Sequence, residues 1–167
     1  QKAVSGLDAF SQAIESFWSV NSTYQSREYS LQALKLIIPS LPKVVYGAEN
    51  KDEYKKMAVG AYLAGKAINI AKTTAPHAFS YYLTKRFNLP HGHAVAFFLP
   101  SFISYNFYLN SDKSNLSNNS NLENLKQVLL EYLPKNNLSL DKSISLYISS
   151  LGIQLNLIEL KISKKEI

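Results

Sequence analysis

Apolar residues recur at helical spacing along most of this chain. In GLDAFSQAIESFWS, Leu7, Phe10, Ile14, Phe17 and Trp18 follow the three-and-four spacing of one helix face, and that helix is predicted to end near Ser19. Asn21 to Thr23 then offer cap-type side chains to a second helix carrying Tyr29, Leu31, Leu34, Leu36, Ile37 and Ile38, which Pro39 and Pro42 are expected to break or bend. GAEN, residues 47–50, reads as a loop. From Asp52 to about Ala71 small residues recur at helical positions (Ala58, Ala61, Ala64, Gly65, Ala67, Ala71), which lets another backbone or a ligand approach closely. Pro76 has no amide to donate and disfavours helix at Ala75, so a kink or a new helix, running to about Phe87, is predicted immediately before His77.

Toward the C-terminal third the character changes. NSDKSNLSNNSNLEN, residues 110–124, is rich in Asn and Ser and reads as a long loop or flexible insertion, assigned to residues 110–122 within a single domain spanning 1–167. Two shorter helices are predicted after it, at about Leu122 to Leu133 and Asp141 to Leu151. Strict two-residue alternation comes nearest in LSLDKSISLYI, where helix is still preferred, so the predicted fold class is all-α. ISKKEI closes the sequence as a cap, Ser163, and the first turn of a helix without a body, as expected of a chain cut from a longer one.

Composition removes several function classes. A length of 167 residues suits one domain with a substantial core, and 46% apolar residues exclude general disorder. The absence of cysteine excludes a disulfide framework and any thiolate metal site, and fits a cytoplasmic setting. No apolar run approaches the roughly 18 residues of a spanning helix, so no membrane role is expected. The net charge of +6 comes with scattered lysines (Lys35, Lys43, Lys51, Lys55, Lys56, Lys66, Lys72) and no Arg-rich run, which points to a solvated basic surface and not to a nucleic-acid partner.

Candidate chemistry gathers around histidine. His77, His91 and His93, the only histidines, stand within seventeen residues of one another. Asp8 and Gln12 are four apart on the first helix and project from one face. Ten helical residues carry the chain about 15 Å from His77. Four extended residues across NLPHG return it by up to about 13 Å, so His91 is able to come back to His77. A carboxylate and two imidazoles, with an amide oxygen, would suit Zn²⁺ or Fe²⁺ and leave a position open for substrate. Histidines near helix ends equally serve as caps or hydrogen-bonded core residues, and Asp8 equally favours the helix dipole. Spacing alone does not separate these readings.

Three stretches carry a resemblance that does. GLDAFSQAIESFWS, AGKAINIAKTTAPHAFSYYLT and NLPHGHAVAFFLP resemble the C-terminal helical domain of the iron-containing (group III) alcohol dehydrogenases, within the dehydroquinate synthase-like fold. The likeness runs from residue 5 to about 106, and ISSLGIQLNLIELKIS resembles the family's later segment more loosely. SQAIES, KTTAPH and PHGHAV look closest to the branch that includes phosphonoacetaldehyde reductases. The family binds a divalent metal through an Asp and a His four apart and two His fourteen apart. The resemblance therefore implies metal ligands Asp8, Gln12, His77 and His91, with Gln12 standing where the family usually has His. An amide oxygen is a poorer donor to a transition metal than imidazole, and a three-ligand site, as in dehydroquinate synthases, stays open beside a four-ligand one. Tyr81 stands where many members place a proton-relaying histidine, and it serves either in a relay or in packing.

What the resemblance implies for function is hydride transfer between NAD(P)H and a small aldehyde or alcohol, with Fe²⁺ or Zn²⁺ as Lewis acid. No G-x-G-x-x-G and no βαβ pattern occurs in the sequence, so the nucleotide-binding N-terminal domain is expected to be missing and the chain alone to be inactive. If the phosphonate branch holds, Lys72, Thr73 and Thr74, one turn before His77, are candidate substrate-binding donors, with Lys66 less favoured; a solvated helix end is the alternative. The face carrying Asp8, His77 and His91 is expected to be lined by Gly65, Ala67, Ala71, Phe79, Tyr81 and Phe97, to lie open to water, and so to favour self-association into a homo-oligomer. Two other functions compete: a non-catalytic helical module that has lost its metal, and a dehydroquinate synthase-like lyase, against which His93 stands where a Glu would be expected.

Overall fold

Helix α1 (Lys2–Trp18) is enclosed almost all round: between Gly6 and Trp18 only Asp8 and Gln12 keep partial exposure. The computed structural model describes residues 1–47, 50–109, 119–135, 137–160 and 162–163. Burial of α1 exceeds the single apolar face that its spacing predicts, because its small polar residues are satisfied locally. The Ser11 hydroxyl donates to the Leu7 carbonyl at 2.8 Å, and the Ser16 and Ser30 hydroxyls meet at 2.8 Å across to the second helix.

Around α1 stand α2 (Tyr24–Tyr46), α3 (Lys51–Ala71), α5 (His91–Ser104) and α6 (Asn119–Tyr132). The short α4 (Ala75–Phe87) pairs with α5, and α7 (Leu140–Ser150) closes against α5 from the other side. A π-helical turn at Tyr105–Leu109 prolongs α5. No strand occurs among the described residues, as the all-α prediction requires. Leu7, Phe10, Ile14 and Phe17 of α1 join Leu34, Ile37, Ile38 and Leu41 of α2 and Leu99 and Ile103 of α5 in one apolar core. The helix ends follow the local chemistry. Thr23 caps α2 reciprocally with Ser26, and Asn50 accepts the Asp52 and Glu53 amides at 3.0 and 3.4 Å.

Two expectations needed tertiary information. α2 continues through Pro39 and Pro42 to Tyr46. Pro42 deprives the Ile38 carbonyl of its helical donor, and the buried Tyr147 hydroxyl of α7 replaces it at 3.0 Å. The small residues of α3 divide: Ala64, Ala67 and Ala71 are fully buried and a side chain at Gly60 would run into Ile37 of α2, whereas Ala58 and Ala61 are exposed and Gly65 is half-buried. Of the expected loop, residues 110–118 lie outside the described residues, and so does the final turn after Ser163. Among the described residues no helix is long and apolar enough to cross a membrane.

Candidate metal centre

Three helices bring the predicted ligands together. Asp8 and Gln12 sit on α1, His77 in the first turn of α4 and His91 at the first position of α5. Pro76 starts α4 without losing a needed hydrogen bond, since the first amides of a helix have no partner within it. At the other end of α4, Asn88 adopts a left-handed conformation (φ 55°) that reverses the chain toward α5. Gly92 then decides how near α5 approaches α1: a Cβ there would stand 2.1 Å from the Val4 carbonyl oxygen and 3.1 Å from Asp8 Cβ. Only a residue without a side chain lets His91 lie beside Asp8.

One donor atom from each of Asp8, His77 and His91 lies within 4.8 Å of the others. His77 Nε2 is 3.4 Å and His91 Nε2 3.7 Å from Asp8 Oδ1, and the two imidazole centroids are 5.3 Å apart. Asp8 Oδ1 and His77 Nε2 are buried, yet neither has a hydrogen-bond partner among the described residues. Orphaned, converging donors of this kind are the arrangement a divalent cation would satisfy, and the O and N donor set fits one. His77 is almost closed to solvent, with 6% of its side chain exposed, whereas Asp8 (26%) and His91 (39%) open the site on one side.

Burial opposes a charge on His77. The pull of the nearby Asp8 and Glu15 carboxylates outweighs it and raises its pKa from 6.5 to about 9. Gln12 directs its amide N–H at Asp8 Oδ2, 2.9 Å away, so it steadies the carboxylate through the oxygen that faces away from the histidines. Tyr81 stacks on His91 with centroids 5.8 Å apart and planes 20° from parallel, and is largely exposed. His93 turns elsewhere, its Nε2 bonding the Gln154 carbonyl at 2.6 Å and tying the last segment to α5.

The candidate substrate donors divide. Lys72 and Thr73 line an open cleft of about 370 Å³ with Gly65, Ile68 and Asn69. The Thr74 hydroxyl faces inward and is already engaged by Glu15 and Trp18. Lys66 lies over the rings of Tyr29 and Tyr62, 4.3 and 5.7 Å from their centroids. Phe79 and Phe98 pack against one another 5.6 Å apart.

Sequence reasoning missed Glu15. It is fully buried on α1 and hydrogen-bonds His77 Nδ1 through Oε1. The available signal was its position, seven residues after Asp8 and three after Gln12, which puts all three on one side of α1.

A model of the Fe-containing alcohol dehydrogenase family, C-terminal, matches residues 2–167. Over 103 residues, 62% of the chain and 26% of the relative, the sequence is 37% identical to long-chain-alcohol dehydrogenase 1 of Geobacillus thermodenitrificans. Over 100 residues, 60% of the chain and 25% of the relative, it is 36% identical to phosphonoacetaldehyde reductase of Streptomyces viridochromogenes. The structure of sulfoacetaldehyde reductase from Bifidobacterium kashiwanohense in complex with NAD⁺ superposes with a TM-score of 0.79 at 26% identity, covering 99% of this chain and 41% of that one. The chain thus spans about a quarter of the length of the curated relatives it matches.

Proposed function

The chain belongs to the Fe-containing alcohol dehydrogenase family, and on that premise we propose that it is the metal-binding helical part of an NAD(P)-dependent alcohol dehydrogenase or aldehyde reductase. The observation that carries the reading is the meeting of Asp8, His77 and His91 with two buried, unpartnered donor atoms between them. These three residues would hold Fe²⁺ or Zn²⁺, with Gln12 steadying Asp8 beside them. The bound ion would supply Lewis-acid polarisation of a carbonyl or alkoxide oxygen. Tyr81 presents a phenol next to His91 and is the candidate proton relay. A nucleotide-binding domain outside this chain would bring the nicotinamide, so the chain by itself would turn over no substrate.

The substrate we favour is a small aldehyde bearing a phosphonate. Two of the named relatives act, by their names, on acetaldehydes that carry an anionic group. Lys72 and Thr73 offer a cation and a hydroxyl for such a group. Lys72 also adopts φ 65° and ψ 171°, a region that residues other than glycine rarely enter, so its backbone is strained at the edge of this cleft. Backbone strain beside a cleft supports a binding role for that residue.

The decisive experiment is aldehyde-dependent NAD(P)H oxidation by the intact protein that contains this chain, with and without added Fe²⁺ or Zn²⁺. Metal-dependent turnover is expected, with kcat/KM higher for phosphonoacetaldehyde than for acetaldehyde and the preference lost in Lys72→Ala. Turnover indifferent to metal removal and to His91→Ala would reject the metal centre, whereas equal use of both aldehydes would reject the phosphonate assignment alone. Gln12→His should tighten metal retention by adding an imidazole to the set.

A further inference from the structure

We infer that Glu15, braced by Thr74 and Trp18, is a positioning residue for the metal centre, holding His77 with a proton on Nδ1 and so leaving Nε2, beside Asp8, as the nitrogen that would meet the cation. The inference rests on the metal-site reading above and adds a control on it. Its basis is a chain of hydrogen bonds that begins from two groups able only to donate, the Trp18 indole and the Thr74 amide. An indole N–H can only donate, and Trp18 Nε1 lies 2.9 Å from Thr74 Oγ1. Thr74 Oγ1 therefore accepts, and its own proton goes to Glu15 Oε2 at 2.8 Å. The Thr74 backbone amide donates to the same oxygen at 2.6 Å. Glu15 Oε2 thus accepts from two donors, and its Oε1 faces His77 Nδ1, to which we assign the proton.

The setting reinforces this order. Glu15 is wholly buried, Trp18 is 2% exposed, and Thr74 is the residue that begins α4, so the carboxylate also faces the positive end of that helix. With Nδ1 committed, the nitrogen left for a cation is Nε2, which points at Asp8 Oδ1 from 3.4 Å and has no other partner among the described residues. A carboxylate that accepts the second ring N–H of a ligating histidine fixes the ring's tautomer and angle and makes the ligand more basic. Thr74, whose hydroxyl is consumed in this way, acts on the centre from behind and not on the substrate.

The test is Zn²⁺ affinity of the intact protein that contains this chain, measured by competition with a chromophoric chelator, together with the ¹⁵N spectrum of the His77 ring in the Zn²⁺-loaded form. Glu15→Gln should weaken Zn²⁺ binding by about 10–100-fold. Thr74→Val and Trp18→Phe should each weaken it several-fold, and neither should add to the loss in the Glu15→Gln background, because both act through Glu15. Thr74→Ser, which keeps the hydroxyl, should bind Zn²⁺ as the parent does, and the protected Nδ1–H signal of the parent should broaden or vanish in Thr74→Val. If Glu15→Gln does not fold, the two Thr74 variants and Trp18→Phe decide the matter. Affinities within twofold of the parent in Glu15→Gln and Thr74→Val, with binding lost in His77→Ala, would overturn the positioning role alone. Unchanged affinity in His77→Ala and His91→Ala would overturn the metal centre itself.

Discussion

Gly92→Ala is the sharpest probe of how the centre is assembled. The added methyl would stand 2.1 Å from the Val4 carbonyl oxygen, against about 3.4 Å for ordinary contact, so α5 must retreat from α1 by about 1.3 Å or α1 must yield as much. The atoms in the way are backbone, and no side-chain rotation relieves them. A cation about 2.1 Å from each ligand bridges at most about 4.2 Å. His91 Nε2 and Asp8 Oδ1 are now 3.7 Å apart, inside that span, and a retreat of about 1.3 Å along the interhelical normal takes them to about 5 Å, outside it. Overpacking of this kind costs about 1–3 kcal/mol. For a chain of this size that lowers Tm by roughly 2–12 °C. The assay is Zn²⁺ calorimetry with thermal unfolding on the same samples. Gly65→Ala is the control, since nothing lies within 4 Å of its added methyl. It should leave Zn²⁺ binding intact and raise stability by up to about 1 kcal/mol. A Gly92→Ala protein with the parent's Zn²⁺ affinity and Tm would refute the claim that the α1–α5 approach builds the site.

Tyr147→Phe should cost about 1–3 kcal/mol, because it leaves the Ile38 carbonyl buried and unpaired; urea unfolding would measure it, and Pro42→Ala, which restores a backbone donor, should recover part of the loss. Glu53 is held at about 2, well below 4.5, by the Ser40 hydroxyl and by Lys56 and Lys43, whose ammonium groups lie 3.0 and 3.2 Å away. A carboxyl depressed on folding contributes stability that is present above pH 4.5 and lost as the pH falls toward 2, so Glu53→Gln should flatten the acid limb of a stability-against-pH curve in that window. Lys72→Gly should relieve about 1–3 kcal/mol of backbone strain. Glycine's greater freedom in the unfolded chain returns roughly 0.5–1 kcal/mol of that, so Tm should rise while any preference for a phosphonate-bearing aldehyde falls.

The amino-acid sequence by itself determined the helices and most of their ends, because these rest on local chemistry. The spacing of Leu7, Phe10, Ile14 and Phe17, the Thr23 cap and the absence of an amide at Pro76 act over a few residues, and the structure follows them. Resemblance at the motif level also picked out Asp8, His77 and His91 for one centre, although 69 residues separate the first two. What tertiary structure alone decided concerns groups whose partners lie far along the chain. Pro42 reads as a helix breaker until Tyr147, 105 residues later, supplies the missing donor to Ile38. Gly60, Ala64, Ala67 and Ala71 of α3 read equally as a ligand surface or a packing surface until α1 and α2 pack against that helix and bury them. Glu15 reads as one more charged residue on a helix, and becomes the partner of His77 only because α4 begins against it. A buried carboxylate is tolerable only where donors surround it, and which donors reach it is a property of packing that no local pattern encodes.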